Sequence, residues 1–257
     1  MPTVARFNVT PVKSTALHNP DEIMLEECGV ATDRQFFLVN DRGHLFGSAR
    51  YGPMMRVCSE YDSEREHLAI RFPEGGTVDG DARAGPEAIV VDFWGRGVPG
   101  HVMDGRWNRA LSEYLGAPVR LVRCDRPGDA SDVDPVTIVS NESVLELGRR
   151  AGRSQTADGR RFRMLIELDG CKPYEEDTWT GRKLAVGEAV VRVGKPVPRC
   201  VITTLNPETG TKDFDTLKAI RDQRGKTPDG LLFGVYAVVV RPGTARVGDP
   251  VEPLWLQ

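Results

Sequence analysis

Lys183-Leu184-Ala185-Val186-Gly187-Glu188-Ala189-Val190-Val191-Arg192-Val193 is the stretch that decides the fold. Two short apolar runs flank a Gly-Glu pair. That pattern predicts strands over 183–186 and 189–193 joined by a tight turn. The same texture recurs outward in both directions. Residues 136–139, 165–168, 200–205 and 233–240 read as strands, as do 4–11, 35–40, 68–72 and 88–93. Asp41-Arg42-Gly43 reads as a hairpin turn into His44-Leu45-Phe46. Residues 74–86 are rich in Gly, Asp and Ala and read as a loop; 125–134 read as an acidic, solvated loop.

Helices are few. Asp104 can cap a helix that puts Trp107, Leu111, Tyr114 and Leu115 on one face and stops at Gly116. Ser140 can cap a second over 141–150, with Val144, Leu145 and Leu147 buried. A third is expected over 214–224, with Phe214, Leu217 and Ile220 on one side and Gly225 as the stop. Many short strands with few helices predict a mainly β (α+β) chain: a β-barrel core with peripheral helices and a smaller N-terminal barrel-like domain. The division is expected near residue 100, giving 1–100 and 101–257. There is no βαβ alternation and no G-x-G-x-x-G or Walker loop, which argues against a nucleotide fold.

Composition narrows the function. The chain has 257 residues, 40% apolar and 28% charged, with net charge −3, so no basic stripe suggests nucleic acid or an anionic membrane surface. No apolar run approaches the ~18 residues of a membrane span. The N-terminal Met-Pro-Thr-Val-Ala-Arg lacks a signal-peptide core, so a cytoplasmic protein is expected. Cys28, Cys58, Cys124, Cys171 and Cys200 are scattered and form no Cys-x-x-Cys, which excludes zinc ribbons and clustered iron–sulfur ligands. His18, His44, His67 and His101 are equally isolated.

Cys200 stands apart by its surroundings. Lys195-Pro196-Val197-Pro198-Arg199 places two prolines before it, and Val201-Ile202-Thr203-Thr204 follows. A cysteine at such a junction beside an arginine favours the thiolate, a soft metal ligand. A buried structural thiol is the commoner fate of a free cysteine. Lys13 and Ser14 after Pro11, Arg34 after Thr32-Asp33, and Arg161 and Arg163 before an apolar strand can supply cations for a phosphate. Ser140 and Asn141 at a helix start add backbone donors suited to an anion. Spacing alone does not bring them together.

These motifs, in this order, resemble the MOSC family (molybdenum cofactor sulfurase C-terminal domain) with its N-terminal β-barrel partner, and in particular the amidoxime-reducing component type. Pro11-Val12-Lys13-Ser14, Thr32-Asp33-Arg34-Gln35-Phe36, Ser140-Asn141-Glu142-Ser143 and Arg161-Phe162-Arg163 carry the likeness. So do Glu176-Asp177-Thr178-Trp179, Arg199-Cys200-Val201-Ile202-Thr203-Thr204, Asn206-Pro207-Glu208-Thr209-Gly210 and Phe233-Gly234-Val235-Tyr236. It covers about residues 2–255. Two departures stand out: Met164-Leu165 replaces the family's Pro-Asn, and Pro198 replaces a small polar residue.

The resemblance implies a molybdenum cofactor (molybdopterin with Mo), the metal ligated by Cys200. Lys13, Ser14, Arg34 and Arg163 would hold the pterin and its phosphate, with Ser140, Asn141 and Arg199 as further cofactor contacts. The implied activity is a molybdenum-dependent oxidoreductase acting on N-hydroxylated or N-oxide small molecules. Asp177 is a candidate proton donor. Electrons would come from an external ferredoxin-, flavoprotein- or cytochrome-type partner, because the chain shows no dinucleotide fingerprint. The alternatives are a sulfur-transfer enzyme with a Cys200 persulfide, and a cofactor carrier without turnover. No nucleic-acid or membrane partner is expected.

Overall fold

The computed structural model describes residues 1–254 and is mainly β. In chain order the strands begin with β1 (Thr3–Phe7), β2 (Glu22–Leu25), β3 (Phe36–Asn40), β4 (Leu45–Phe46), β5 (Cys58–Asp62) and β6 (His67–Arg71). They continue as β7 (Thr77–Asp81), β8 (Ala88–Phe93), β9 (Arg96–Val102), β10 (Val119–Cys124), β11 (Val136–Ser140) and β12 (Ile166–Asp169). The last are β13 (Lys183–Val186), β14 (Ala189–Pro198), β15 (Leu232–Arg241), β16 (Gly243–Arg246) and β17 (Val251–Leu254). The helices are α1 (Gly105–Leu115), α2 (Asn141–Arg150) and α3 (Thr216–Arg224).

The 183–193 stretch folds as expected. β13 and β14 pair antiparallel from Val186↔Ala189 outward, and Leu184, Val186 and Val191 point into a buried core. Seven strands follow the order β1-β12-β11-β15-β14-β13-β17. The two edges then meet: Thr3 bridges Pro250, the Val4 amide donates to the Asp249 carbonyl at 2.9 Å, and the Val251 amide donates to Pro2 at 2.8 Å. Closure removes the free edges that an open sheet would expose. Phe7, Ile138, Leu168 and Val235 fill the interior.

A second sheet, β4-β3-β10-β9-β8, and a β5-β6-β7 meander make the other body. Asp104 caps α1 by accepting from the Arg106 amide, and Gly116 ends it at φ 61. Trp107, Leu111 and Leu115 then pack on Phe36, Leu38 and Leu121. Pairing crosses residue 100 in both directions. β1 and β2 hydrogen-bond to β12 and β16, while β10 lies between β3 and β9.

Several elements differ from expectation. Residues 200–205 are not a strand but a short 3-10 helix over Val201–Thr204, because β14 keeps pairing through Pro198 and the chain then turns away from β15. The loop expected at 74–86 contains β7, which completes the meander despite Gly80. α3 starts at Thr216 with Asp215 as its cap, leaving Phe214 buried just ahead of it. Leu145 is 54% exposed on the outer face of α2, not buried. One βαβ unit does occur: β11 and β12 are parallel, and the crossover between them includes α2. Among the described residues, no helix is long and apolar enough to cross a membrane.

Candidate functional site

The N-terminal turn of the site is built by a proline and two threonines. Lys13 N donates to the Phe36 carbonyl at 2.7 Å, and Thr15 Oγ1 donates to Val12 O at 2.7 Å. This reverses the chain at Ser14, which takes φ 76. Arg34 sits at φ 52 just before β3, its amide donating to Thr10 O at 2.7 Å, and Asp33 Oδ1 accepts from the Thr10 amide at 2.8 Å. Arg163 also has φ 52 where it caps the 3-10 turn Gly159–Phe162. Left-handed backbone costs an L-residue about 1–2 kcal/mol. Among the described residues, four of the six non-glycine positions with positive φ (Ser14, Arg34, Trp94 and Arg163) line one cavity. Strain of this kind gathers at functional sites.

That cavity is about 490 Å³, within the range of small-molecule sites. It brings together Lys13, Ser14, Arg34, Arg163, Arg199 and Cys200, all expected from sequence. Both bodies contribute walls: Asp92 and Trp94 from one, Thr137, Met164 and Tyr236 from the other. The loop read as merely solvated is a wall too. Lys13 Nζ donates to the Ala130 carbonyl at 2.8 Å and pairs with Asp132 at 2.5 Å.

The charges are unequally matched. Burial pulls the Lys13 ammonium down, and Asp132 opposes that pull. Arg34 is paired with Asp33 and also donates to Arg163 O at 3.1 Å. Arg163 donates to the Thr15 carbonyl at 2.7 Å, and Arg199 donates to Phe162 O and to the Met164 sulfur. Among the described residues neither of these two pairs with a carboxylate. Burial, reinforced by the Arg34 charge, brings the Arg163 guanidinium down to about 9. Burial likewise lowers Arg199, whose Nε is buried with no partner. Half-buried cations hydrogen-bonded to neutral acceptors are poised to receive an anion. Burial and the nearby Asp132 raise the Tyr236 hydroxyl to about 12, so it keeps its proton at neutral pH.

Cys200 is the exposed cysteine; Cys124 and Cys171 are buried, and burial raises both to about 12. No group of three or more His, Cys, Asp or Glu side chains among the described residues could hold a metal by itself. A metal here would need ligands from a cofactor besides Cys200.

Ser140, Asn141 and Asp177 lie outside the cavity. β11 runs away from it, from Thr137 at the wall to Ser140 three residues on, a rise of about 10 Å. The N-terminus of α2 is filled from within. Glu176, 1% exposed, accepts from Ser140 Oγ at 3.1 Å and Ser143 Oγ at 2.9 Å. Asn141 bonds Asp169 at 2.7 Å, and Asp177 pairs with Arg224 at 2.7 Å. Sequence reading missed Asp132 and Trp94, and quoted Tyr236 only within a family motif, with no site role. Trp94-Gly95, closing a hairpin after a recognised strand, was the one local signal available.

Comparison with known proteins identifies the family. The MOSC N-terminal beta barrel domain matches residues 1–118, and the MOSC domain matches residues 125–252. Mitochondrial amidoxime-reducing component 1 of Homo sapiens is 35% identical over 283 residues, covering 97% of this chain and 82% of the relative. The chain belongs to the MOSC family. Mitochondrial amidoxime reducing component 2 of Rattus norvegicus is 27% identical over 284 residues, covering 97% of this chain and 82% of that protein. The YUAD protein of Bacillus subtilis overlaps at TM-score 0.44 and 12% identity, covering 98% of this chain and 94% of that one. Within the MOSC chain, Cys200 and the cavity cations occupy the junction between the two matched regions and their barrels.

Proposed function

We propose that this MOSC chain holds a molybdenum cofactor through Cys200 and reduces N-hydroxylated or N-oxide small molecules. One observation carries the reading: the exposed thiol shares a cavity with two half-buried guanidiniums that have no carboxylate partner among the described residues. The donor set fits an anionic pterin phosphate with a thiolate-ligated metal. Lys13, Ser14, Arg34 and Arg163 would hold the phosphate, and the unpartnered Arg199 Nε would donate to the pterin. Met164-Leu165 stands where the family has Pro-Asn, so the asparagine's polar contact to the cofactor is missing, and Met164 offers Arg199 its thioether sulfur. The cofactor supplies two-electron oxygen-atom chemistry; the protein binds, orients and tunes it. The Tyr236 hydroxyl lines the cavity as a proton-bearing donor for an oxygen bound there.

The names of the amidoxime-reducing relatives support the substrate class. A separate redox protein of ferredoxin, flavoprotein or cytochrome type would deliver electrons, since no dinucleotide fingerprint is present. A cytoplasmic setting, where free thiols stay reduced, belongs to the same proposal.

The test is elemental and pterin analysis of protein made in a cofactor-competent host, followed by turnover with reduced viologen. Stoichiometric molybdenum lost on Cys200→Ala supports the reading. A persulfide on Cys200 without molybdenum would favour sulfur transfer, and molybdopterin without turnover would favour a carrier.

A further inference from the structure

Trp94 contradicts the local rules of its position. Phe93 pairs with Arg96, so Trp94-Gly95 is a two-residue hairpin turn between β8 and β9. Both turn residues have positive φ, 56 and 90. Such turns select Asn, Asp or Gly at the first position, where a side chain as large as indole is disfavoured. The indole is also 66% exposed, although burial is the usual fate of so large an apolar surface. A residue kept against both preferences is held there by what its side chain does.

Its surroundings say what that is. Trp94 lines the cavity that contains Cys200. Lys13 Nζ stands over the ring, 5.6 Å from its centroid, and Phe93 meets it edge-on at 5.6 Å. Lys13 is itself tied to Asp132 and Ala130, so the indole is braced and still largely open. A braced, exposed aromatic surface at a cavity wall is a shelf for another flat π-system. Val133, 51% exposed, and Val201, 43% exposed, are apolar and next in sequence to cavity residues.

We propose that Trp94 is a stacking platform that selects substrates bearing a flat aromatic or heteroaromatic ring beside the group to be reduced. The proposal rests on the reductase reading and names its substrate class. The platform binds the ring and takes no part in the electron transfer. A ring stacked on the indole gains contact in the bound and reacting states alike, so the effect belongs in KM more than in kcat.

The experiment uses the full chain with its cofactor, reduced viologen as donor, and two substrates, N-hydroxybenzamidine and N-hydroxyacetamidine. Trp94→Leu keeps apolar bulk and removes the π surface; Trp94→Phe keeps the π surface. Trp94→Leu is expected to raise the KM of the aromatic substrate roughly ten-fold relative to the aliphatic one, with Phe restoring most of the preference. A second readout needs no turnover. Benzamidine should quench indole fluorescence in the parent chain and fail to do so in Trp94→Phe, while acetamidine quenches neither. Both chains carry Trp255→Phe, so that the remaining indoles are Trp107 and Trp179, which are buried and should not respond. An equal KM change for both substrates, quenching that survives in Trp94→Phe, or loss of pterin from Trp94→Leu would overturn the platform. If no N-hydroxylated compound is reduced at all, the reductase reading falls, and the benzamidine quench still decides whether the shelf exists.

Discussion

Arg163 and Arg199 are the residues that most constrain the chemistry, because each is a half-buried cation whose hydrogen bonds go to neutral acceptors. Charge-assisted hydrogen bonds contribute about 1.5–3 kcal/mol each. Arg163→Met should therefore weaken pterin retention roughly ten-fold or more. It removes an uncompensated charge as well, so the cofactor-free protein should melt no lower than the parent. A lower melting point would mark Arg163 as a structural residue. Cys200→Ala should abolish molybdenum binding, whereas Cys28→Ala and Cys58→Ala should leave it intact by elemental analysis; equal metal in all three would remove Cys200 from the site. The cations and the thiol were legible in sequence as motif residues, but their convergence was not. It depends on three left-handed turns, at Ser14, Arg34 and Arg163, and no propensity scale assigns positive φ to those residue types. Ser140 and Asn141 misled because a helix N-terminus looks like an anion site whether or not the protein fills it.

The element that fills it makes a pH prediction. Burial raises the Glu176 carboxyl above its ordinary value, against the pull of the Ser143 and Ser140 donors. A carboxyl raised in the folded state stabilises the fold below the ordinary value near 4.5, and that contribution is lost as pH rises through the folded value. Glu176→Gln, which carries no charge, should therefore compare more favourably with the parent at pH 8 than at pH 5 by thermal melting. A difference independent of pH would mean that the carboxylate is not strained by burial. The hairpin of β8 and β9 predicts a gain. Trp94→Asn suits the left-handed turn and should stabilise the protein by about 1 kcal/mol in urea unfolding. No gain would mean that the indole's contacts with Lys13 and Phe93 offset the strain. Strands with regular alternation, such as β13 and β8, were legible from sequence because one face is buried. β7 was hidden by its glycine and aspartates, and 200–205 imitated a strand because Val, Ile and Thr suit both extended chain and a short 3-10 turn.

At the scale of the molecule, the two bodies touch where side chains are absent. A Cβ on Gly210 would lie 2.0 Å from the Gly52 carbonyl oxygen, and Gly210 holds φ 69. Gly210→Ala should cost about 1–3 kcal/mol from its backbone alone, with the clash in addition, and should loosen the cavity walls. Lower melting together with lower cofactor content is expected; lower melting with full content would show that the cavity does not depend on this contact. The closure of the barrel carries a different consequence. β1 leaves the ribosome before any of its partners has been made, yet it pairs with β12 and latches onto Pro250. The nascent chain must hold an apolar strand in waiting until Pro250 has been translated, which favours slow, chaperone-assisted maturation. Dividing the gene between the two matched regions would leave the second product one barrel stave short, and a peptide of residues 1–26 added in trans should be what restores it.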